Sequence, residues 1–222
     1  MNVTQEDYLK SILNIEMSGQ QATVSTLSNM LHVKPSSVTE MVKKLSELDL
    51  LLYKKYKGFK LSPKGKTLAL KILRRHRLWE TFLYNVLNYP WSDLHGEAEK
   101  FEHLISSNME SRIDELLNYP AFDPHGHPIP QKDGLLPLNE RVKFYHVLSQ
   151  VEIGGQGTLV QVSDDSVSFL DYLEQIDLSI GDLITVKDKR NFDNAMEITF
   201  KHKTLLLTRQ MADNIIIDVQ ST

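Results

Sequence analysis

LHVKPSSVTEMVKKLSELDLLLYKKYKGFKL, residues 31–61, is the stretch on which the fold turns. Pro35 follows the break His32-Val33-Lys34 and sits where a helix can begin, and Val38, Met41, Val42, Leu45 and Leu48 form one apolar stripe behind it. A shorter helix fits Val24 to Leu31, just upstream. Two helices joined by so tight a turn predict a helix-turn-helix, whose second helix enters the major groove of DNA. Leu50-Leu51-Leu52-Tyr53 and the segment ending at Leu61 flank Gly58, which predicts a β-hairpin carrying Lys54, Lys55, Lys57 and Lys60. Such a hairpin is a wing.

Upstream, Thr4 can cap a first helix with Leu9, Ile12 and Leu13 at helical spacing, ending at Ser18-Gly19. Downstream, Ser62-Pro63 opens a long helix to about Leu87, stopped by Tyr89-Pro90. Ser92 or Asp93 opens another, running to about Leu117. Residues 120–139 hold five of the eight prolines with Gly126 and Gly134, so an irregular segment is expected there. Beyond it the pattern predicts strands at Val142 to Val151, Gly157 to Val162, Leu183 to Val186, Met196 to Phe200, Thr204 to Leu207 and Ile215 to Val219. One helix, Asp164 to Ile176, interrupts them, and the whole suggests a small, partly open barrel. The fold class expected is therefore a mainly α part, with a winged helix-turn-helix and further helices, followed by a small β-barrel domain.

The 222 residues carry a net charge of −4, but unevenly. Residues 1–75 hold 13 Lys+Arg against 6 Asp+Glu, net +7, which leaves 12 against 23, net −11, for the remainder. A basic first third on an acidic remainder is the footprint of a nucleic-acid-binding module joined to something else. No stretch approaches the ~18 consecutive apolar residues of a membrane span, and the amphipathic stretch from Met1 to Ile15 does not read as a signal peptide. A cytoplasmic protein is expected. Zero Cys excludes disulfides, thiolate zinc sites and Cys nucleophiles together.

The polar positions that open the proposed recognition helix are Ser36, Ser37, Thr39, Glu40 and Lys43. Hydroxyls and Lys suit phosphate and base-edge contacts; Glu40 either accepts from a cytosine amino group or positions a neighbouring Lys. The wing lysines, Lys54, Lys55 and Lys57 among them, should add salt-dependent attraction to the backbone. A second constellation is of metal-ligand type. His76 and Glu80 are four apart on one helix, while His95, Glu99, Glu102 and His103 fall within an arc of roughly 100° on the next. An ordinary wet helix face would look the same. Imidazoles and carboxylates without sulfur suit Mn²⁺ or Fe²⁺, with Zn²⁺ possible.

Five segments in order resemble the metal-dependent repressors of the diphtheria toxin repressor and manganese transport regulator family. They are Asp7-Tyr8-Leu9, Pro35-Ser36-Ser37-Val38-Thr39, Arg75-His76-Arg77-Leu78 with Glu80, residues 95–103 (HGEAEKFEH) and Pro124-His125-Gly126-His127-Pro128-Ile129-Pro130. The tail resembles the SH3-like, FeoA-type domain of the longer members. The resemblance implies a winged helix-turn-helix over 1–73, a helical metal-binding and dimerisation domain over 74–140 and the SH3-like domain over 148–222. It implies a primary site of Asp7, Glu99, Glu102 and His103, and an ancillary site of His76, Glu80 and His95 completed by Asp164 or Asp165. Iron-responding members resemble this chain but carry Met at the place of Asp7 and Cys at that of Glu99, so oxygen ligands here favour Mn²⁺ over Fe²⁺. Some manganese regulators have a carboxylate where this chain has Lys10. Of an anion-binding trio in iron-type members Arg77 persists, while Asp123 and His127 replace the rest, so no anion is expected.

The function the resemblance implies is a metal-responsive DNA-binding regulator, a repressor of metal-uptake genes rather than an enzyme. It would act as a homodimer on a double-stranded operator, joined through Phe101, Leu104 and Ile105. Metal would draw Asp7 onto the acidic helix, and without it Asp7, Glu99 and Glu102 would repel one another. The alternatives are a winged-helix regulator with a non-metal effector and a carboxylate/His metalloenzyme. The second lacks the repeated Glu-x-x-His of di-metal bundles, and no glycine-rich phosphate loop or H-E-x-x-H occurs.

Overall fold

The computed structural model describes residues 2–53, 58–137 and 144–219. Lys54, Lys55 and Lys57 of the expected wing lie outside the described residues, as does Val142 of the first expected strand. Helix α1 spans Val3–Met17 and is capped by Asn2 rather than Thr4. The Asn2 side chain accepts from the Gln5 N–H while the Gln5 side chain accepts from the Asn2 N–H. Two reciprocal bonds outweigh the single one a threonine could offer inside the turn. Helix α2 (Val24–Met30) is capped by Thr23, and α3 (Pro35–Glu47) starts at Pro35 and buries Val38, Val42 and Leu45. Strands β1 (Leu51–Tyr53) and β2 (Phe59–Leu61) pair antiparallel, Leu51 opposite Leu61. Ser62 then caps the long helix α4, Pro63–Leu87.

The single helix expected up to Leu117 is two: α5 (Trp91–Phe101), entered from Pro90, and α6 (Ser107–Leu116). The Ser106 hydroxyl accepts the Met109 N–H and starts α6 afresh, while Ile105 turns inward and is buried. That burial also corrects the expected dimer face. Phe101 and Leu104 are exposed, 38% and 78%, but Ile105 belongs to the core.

The last third is a six-stranded antiparallel sheet in the order β3-β8-β4-β5-β6-β7. Its strands are β3 (Tyr145–Val147), β4 (Gln156–Val162), β5 (Leu183–Lys189), β6 (Met196–Phe200), β7 (Lys203–Leu207) and β8 (Ile215–Val219). Register shifts at Leu159/Gln161 and Val186/Asp188 bend it into a small, open, SH3-like barrel. Helix α7 (Val167–Ile176), capped by Ser166, follows β4, and α8 (Arg209–Asp213) precedes β8. Among the described residues no helix is long and apolar enough to cross a membrane.

Apolar side chains gather in two clusters. One joins Leu9, Ile12, Leu27, Val38, Leu45 and Phe59 to Leu70 and Leu73 of α4. The other joins Leu78 and Leu83 of α4, Trp91, Leu94 and Ala98 of α5, and Leu170 and Leu173 of α7 to the sheet. Helix α4 thus serves both, and between its two apolar stretches it buries Arg74, His76 and Arg77, with Glu80 one turn on. Buried polar groups need partners. Arg74 finds Glu110, Asp114 and the Pro130 carbonyl; His76 and Glu80 find the site described next.

Candidate metal centre

Four residues apart on α4, His76 and Glu80 point the same way, with His76 Nε2 3.1 Å from Glu80 Oε1. The same nitrogen lies 3.1 Å from His95 Nδ1 of α5, and His95 Nε2 is 3.5 Å from Glu99 Oε1 one turn further. The other His76 nitrogen, Nδ1, meets Glu102 Oε2 at 2.5 Å. Glu102 is the residue that ends α5 and is fully buried; His103 lies in the turn beyond it. The helical-face argument therefore holds for His95 and Glu99, while the break in the helix aims His103. From α1, Asp7 Oδ1 comes within 2.9 Å of His103 Nε2, and Glu102 Oε1 lies 3.2 Å from that nitrogen.

Two of the expected groups are thus assembled, each with donor atoms within 4.8 Å of one another: Asp7, Glu102 and His103, and His76, Glu80 and His95. Glu99 stands between them, its carboxylate shared by His95 and Lys10. Asp164 lies with Glu80 and His125 in a third such group, whereas Asp165 is exposed and accepts from the Ser163 hydroxyl.

Sequence reasoning missed three contributors. Glu6 Oε2 accepts from His103 Nδ1 at 2.7 Å, which fixes the ring and frees Nε2 for a cation. Lys10, buried on α1, donates to both Glu102 oxygens at 2.7 and 2.9 Å and to Glu99 at 3.3 Å. The acids consequently do not face one another bare: Lys10, His95 and His103 stand between them, contrary to the mutual repulsion expected of the metal-free site. The third is His125. Asp123 Oδ1 accepts the N–H groups of both His125 and His127 at 2.9 Å, curling the proline-rich segment into a tight loop. Gly126 (φ +89°) lets the loop lie against β4, where a Cβ would meet the Val160 carbonyl at 1.9 Å, and Val162 N–H donates to the His125 carbonyl. The His125 ring is fully buried beside Trp91, with no hydrogen-bond partner for either nitrogen or for Glu80 Oε2 among the described residues. Buried groups are seldom left so. The alternation Asp123-x-His125-x-His127 in a Gly/Pro loop was the available signal. Arg77 is engaged by Asp123 at 3.5 Å and by the Pro128 carbonyl.

The cluster alternates charge. Hydrogen bonds to Glu80 and Glu99 lift His95 to about 10, and its bond to His95 takes Glu99 down to about 2. Burial works against a charged His76, yet Glu80 and Glu102 outweigh it and raise its pKa. Burial raises that of Asp7. Two imidazoles with carboxylate oxygens and no sulfur are a donor set suited to Mn²⁺ or Fe²⁺, and the partnerless nitrogens of His125 and oxygen of Glu80 fit a further cation contact. On α3 the five expected DNA-contacting residues, Ser36, Ser37, Thr39, Glu40 and Lys43, are all exposed. Glu40 pairs with Lys44 at 3.0 Å.

Residues 2–59 match the family model described as iron dependent repressor, N-terminal DNA binding domain. Residues 62–131 match its metal binding and dimerisation domain, and residues 146–219 match the FeoA domain. The chain is 40% identical over 114 residues to the HTH-type transcriptional regulator MntR of Oceanobacillus iheyensis, covering 51% of this chain and 77% of that protein. It is 33% identical over 135 residues to the iron-dependent repressor IdeR of Mycobacterium leprae, covering 61% of this chain but 57% of that one. Among solved structures, a manganese-dependent transcriptional repressor in complex with manganese superposes with a TM-score of 0.85 at 31% identity, over 97% of this chain and all of that one.

Proposed function

The chain belongs to the iron-dependent repressor family, and on that premise we propose that it is a metal-responsive transcriptional repressor of metal-uptake genes, binding a double-stranded operator as a homodimer when charged with Mn²⁺. Fe²⁺ is the second candidate and Zn²⁺ a competent substitute in vitro. The observation that carries the reading is the meeting of Asp7 with Glu102 and His103. It ties the helix next to the DNA-reading α2–α3 pair to the far side of α4.

In this reading residues 1–73 bind DNA, 74–140 hold metal and the dimer face, and 148–222 form the SH3-like domain. The primary centre is Asp7, Glu99, Glu102 and His103. The ancillary centre is His76, Glu80 and His95, with Asp164 reaching Glu80 from the side of the third domain alongside His125. A bound divalent ion supplies positive charge that the acidic oxygens share. Asp7 carries that gain to α1, and α1 packs against the helix-turn-helix, so an ion held by Asp7 favours one pose of α3 over the others. Linkage limits the effect to the difference in metal affinity between that pose and the others. Ser36, Ser37, Thr39 and Lys43 face the groove, with Lys54, Lys55 and Lys57 on the backbone. The protein acts in the cytoplasm and catalyses nothing.

The test is operator binding by fluorescence anisotropy, anaerobically and at fixed ionic strength, across Mn²⁺, Fe²⁺, Zn²⁺ and chelator, on DNA selected from a random pool. Equal affinity in chelator and in Mn²⁺ would refute the switch. Loss of the Mn²⁺ response in Glu99→Ala, with the chain still folded, supports it.

A further inference from the structure

From Pro128 to Gly134 the proline-rich segment runs antiparallel to α4 along one face of it. Arg77 donates to the Pro128 carbonyl, Arg74 to the Pro130 carbonyl, and Gly134 lies over Leu70, where an added Cβ would stand 3.7 Å from Leu70 Cδ1. Positions 77, 74 and 70 step by three and four and share a helical face, while His76 and Glu80 lie roughly 100° round the helix from it. The segment therefore passes from beside Leu78, in one apolar cluster, to Leu70, in the other, on a face that the metal ligands do not use. It then closes on itself. Gly134 N–H donates to the Gln131 carbonyl, Gln131 N–H to the Leu135 carbonyl and Leu135 N–H to the Asp133 carboxylate, with Gly134 at φ +83°. This turn presents Leu135 and Leu136, 64% and 39% exposed, across an open cleft of about 790 Å³ from Leu13 and Met17 of α1, Leu61 of β2 and Leu70. Met17 is itself 45% exposed. Residues 132–145 lie between the stretches that match the metal binding and dimerisation domain and the FeoA domain, so neither match assigns them a role.

We infer that residues 131–136 are a clasp poised to close this cleft, seating Leu135 and Leu136 on Met17 and the end of α1 and so holding the DNA-binding half to α4 without metal. The turn is already ordered by its own hydrogen bonds and tied to α4 by Arg74, so docking two exposed leucines costs little further backbone entropy and removes apolar surface from water. Position also matters. Asp7 and Met17 stand about 15 Å apart along α1 at ~1.5 Å per residue. One anchor leaves a helix free to pivot, whereas two at that separation set its direction. The clasp fixes the end of α1 that the metal centre does not reach, and each closure makes the other less costly. Its consequence for operator binding rests on the metal-switch reading; the closure itself does not.

The experiment follows hydrogen–deuterium exchange in chelator for the full chain, for Gly134→Ala, and for Leu135→Ser combined with Leu136→Ser, both exposed positions at which folding is not at stake. The double variant is expected to exchange about fivefold or more faster over residues 11–17 of α1, the size of losing about half a buried leucine, with α5 unchanged. Gly134→Ala, which strains the turn without filling the cleft, is expected to do the same to a smaller degree. The Mn²⁺ concentration for half-maximal operator binding is expected to rise in both. The chain has no cysteine of its own, so Met17→Cys combined with Leu136→Cys should give one disulfide within a chain on treatment with diamide in chelator. Unchanged exchange in α1 of the double leucine variant, or no such disulfide, overturns the clasp. If both appear while operator binding by the unaltered chain ignores Mn²⁺, the clasp stands and the metal-switch reading falls.

Discussion

Glu102→Ala and Glu99→Ala should both silence the metal response, yet the metal-free proteins should differ sharply in stability. Glu102 is fully buried and accepts from Lys10 twice, from His76 at 2.5 Å and lies 3.2 Å from His103. Removing it leaves the Lys10 side chain, 7% exposed, without its main counter-charge, and a largely enclosed His76 with Glu80 alone. Breaking a buried pair by deleting one partner costs about 3–5 kcal/mol. The Glu99 side chain is 52% exposed and its partners His95 and Lys10 each retain another carboxylate, so its loss should cost about 0–1 kcal/mol. Urea unfolding in excess chelator, at one protein concentration because a dimer's midpoint depends on it, reads the gap directly. Expected is a gap of at least about 2 kcal/mol between the variants. Equal losses would refute the buried ammonium–carboxylate account, whatever happens to DNA binding.

Raising pH should tighten Mn²⁺ binding, by up to about tenfold per unit for each proton displaced, because His95, held near 10 by Glu80 and Glu99, must shed its proton to bind metal; calorimetry in two buffers of different ionisation enthalpy should show proton release, and a flat profile would contradict it. For the metal-free chain the signs run oppositely: the raised His95 adds stability that is complete below its ordinary 6.5 and lost as pH climbs through about 10. The lowered Glu99 adds stability present above 4.5 and lost as pH falls through about 2, so thermal melts in chelator should be highest between those ordinary values. Lys43→Ala should weaken binding to every DNA sequence alike and reduce the slope of log affinity against log salt by about 1 if it contacts phosphate; a sequence-selective loss would make it a base contact. His125→Ala should lower metal uptake at the Glu80 cluster while leaving the Glu99-dependent ion in place, as measured by dialysis against Mn²⁺.

Long periodic elements with chemical punctuation were legible from the sequence. Helix α4 announced both ends, Ser62-Pro63 and the stop at Tyr89-Pro90, and Pro35 announced α3. The division between α5 and α6 was not, since residues 102–106 contain neither Gly nor Pro, and the turn there depends on burying Ile105 in a core built partly from the last third of the chain. The start of α1 was misplaced because two polar caps competed and only side-chain geometry separated them. At the site, i,i+4 pairs such as His76–Glu80 and His95–Glu99 could be read from spacing. Glu80, His125 and Asp164 come from three distant segments, and nothing local ties them together. Lys10 was visible only as a departure from a pattern; its reach to Glu102, 92 residues on, depends on the packing of α1 against α4 and α5.

The two apolar clusters divide the chain where no linker does, inside α4 between Leu73 and Leu78. The sheet and α7 share a core with α4, α5 and α6, so calorimetry of the metal-free chain should resolve two cooperative melting units rather than three. The border between those units is spanned by Asp7 and Lys10 on one side and Glu99, Glu102 and His103 on the other. A ligand gripped from both sides of such a border fuses the two transitions into one, and that fusion is a reading of occupancy that needs no DNA.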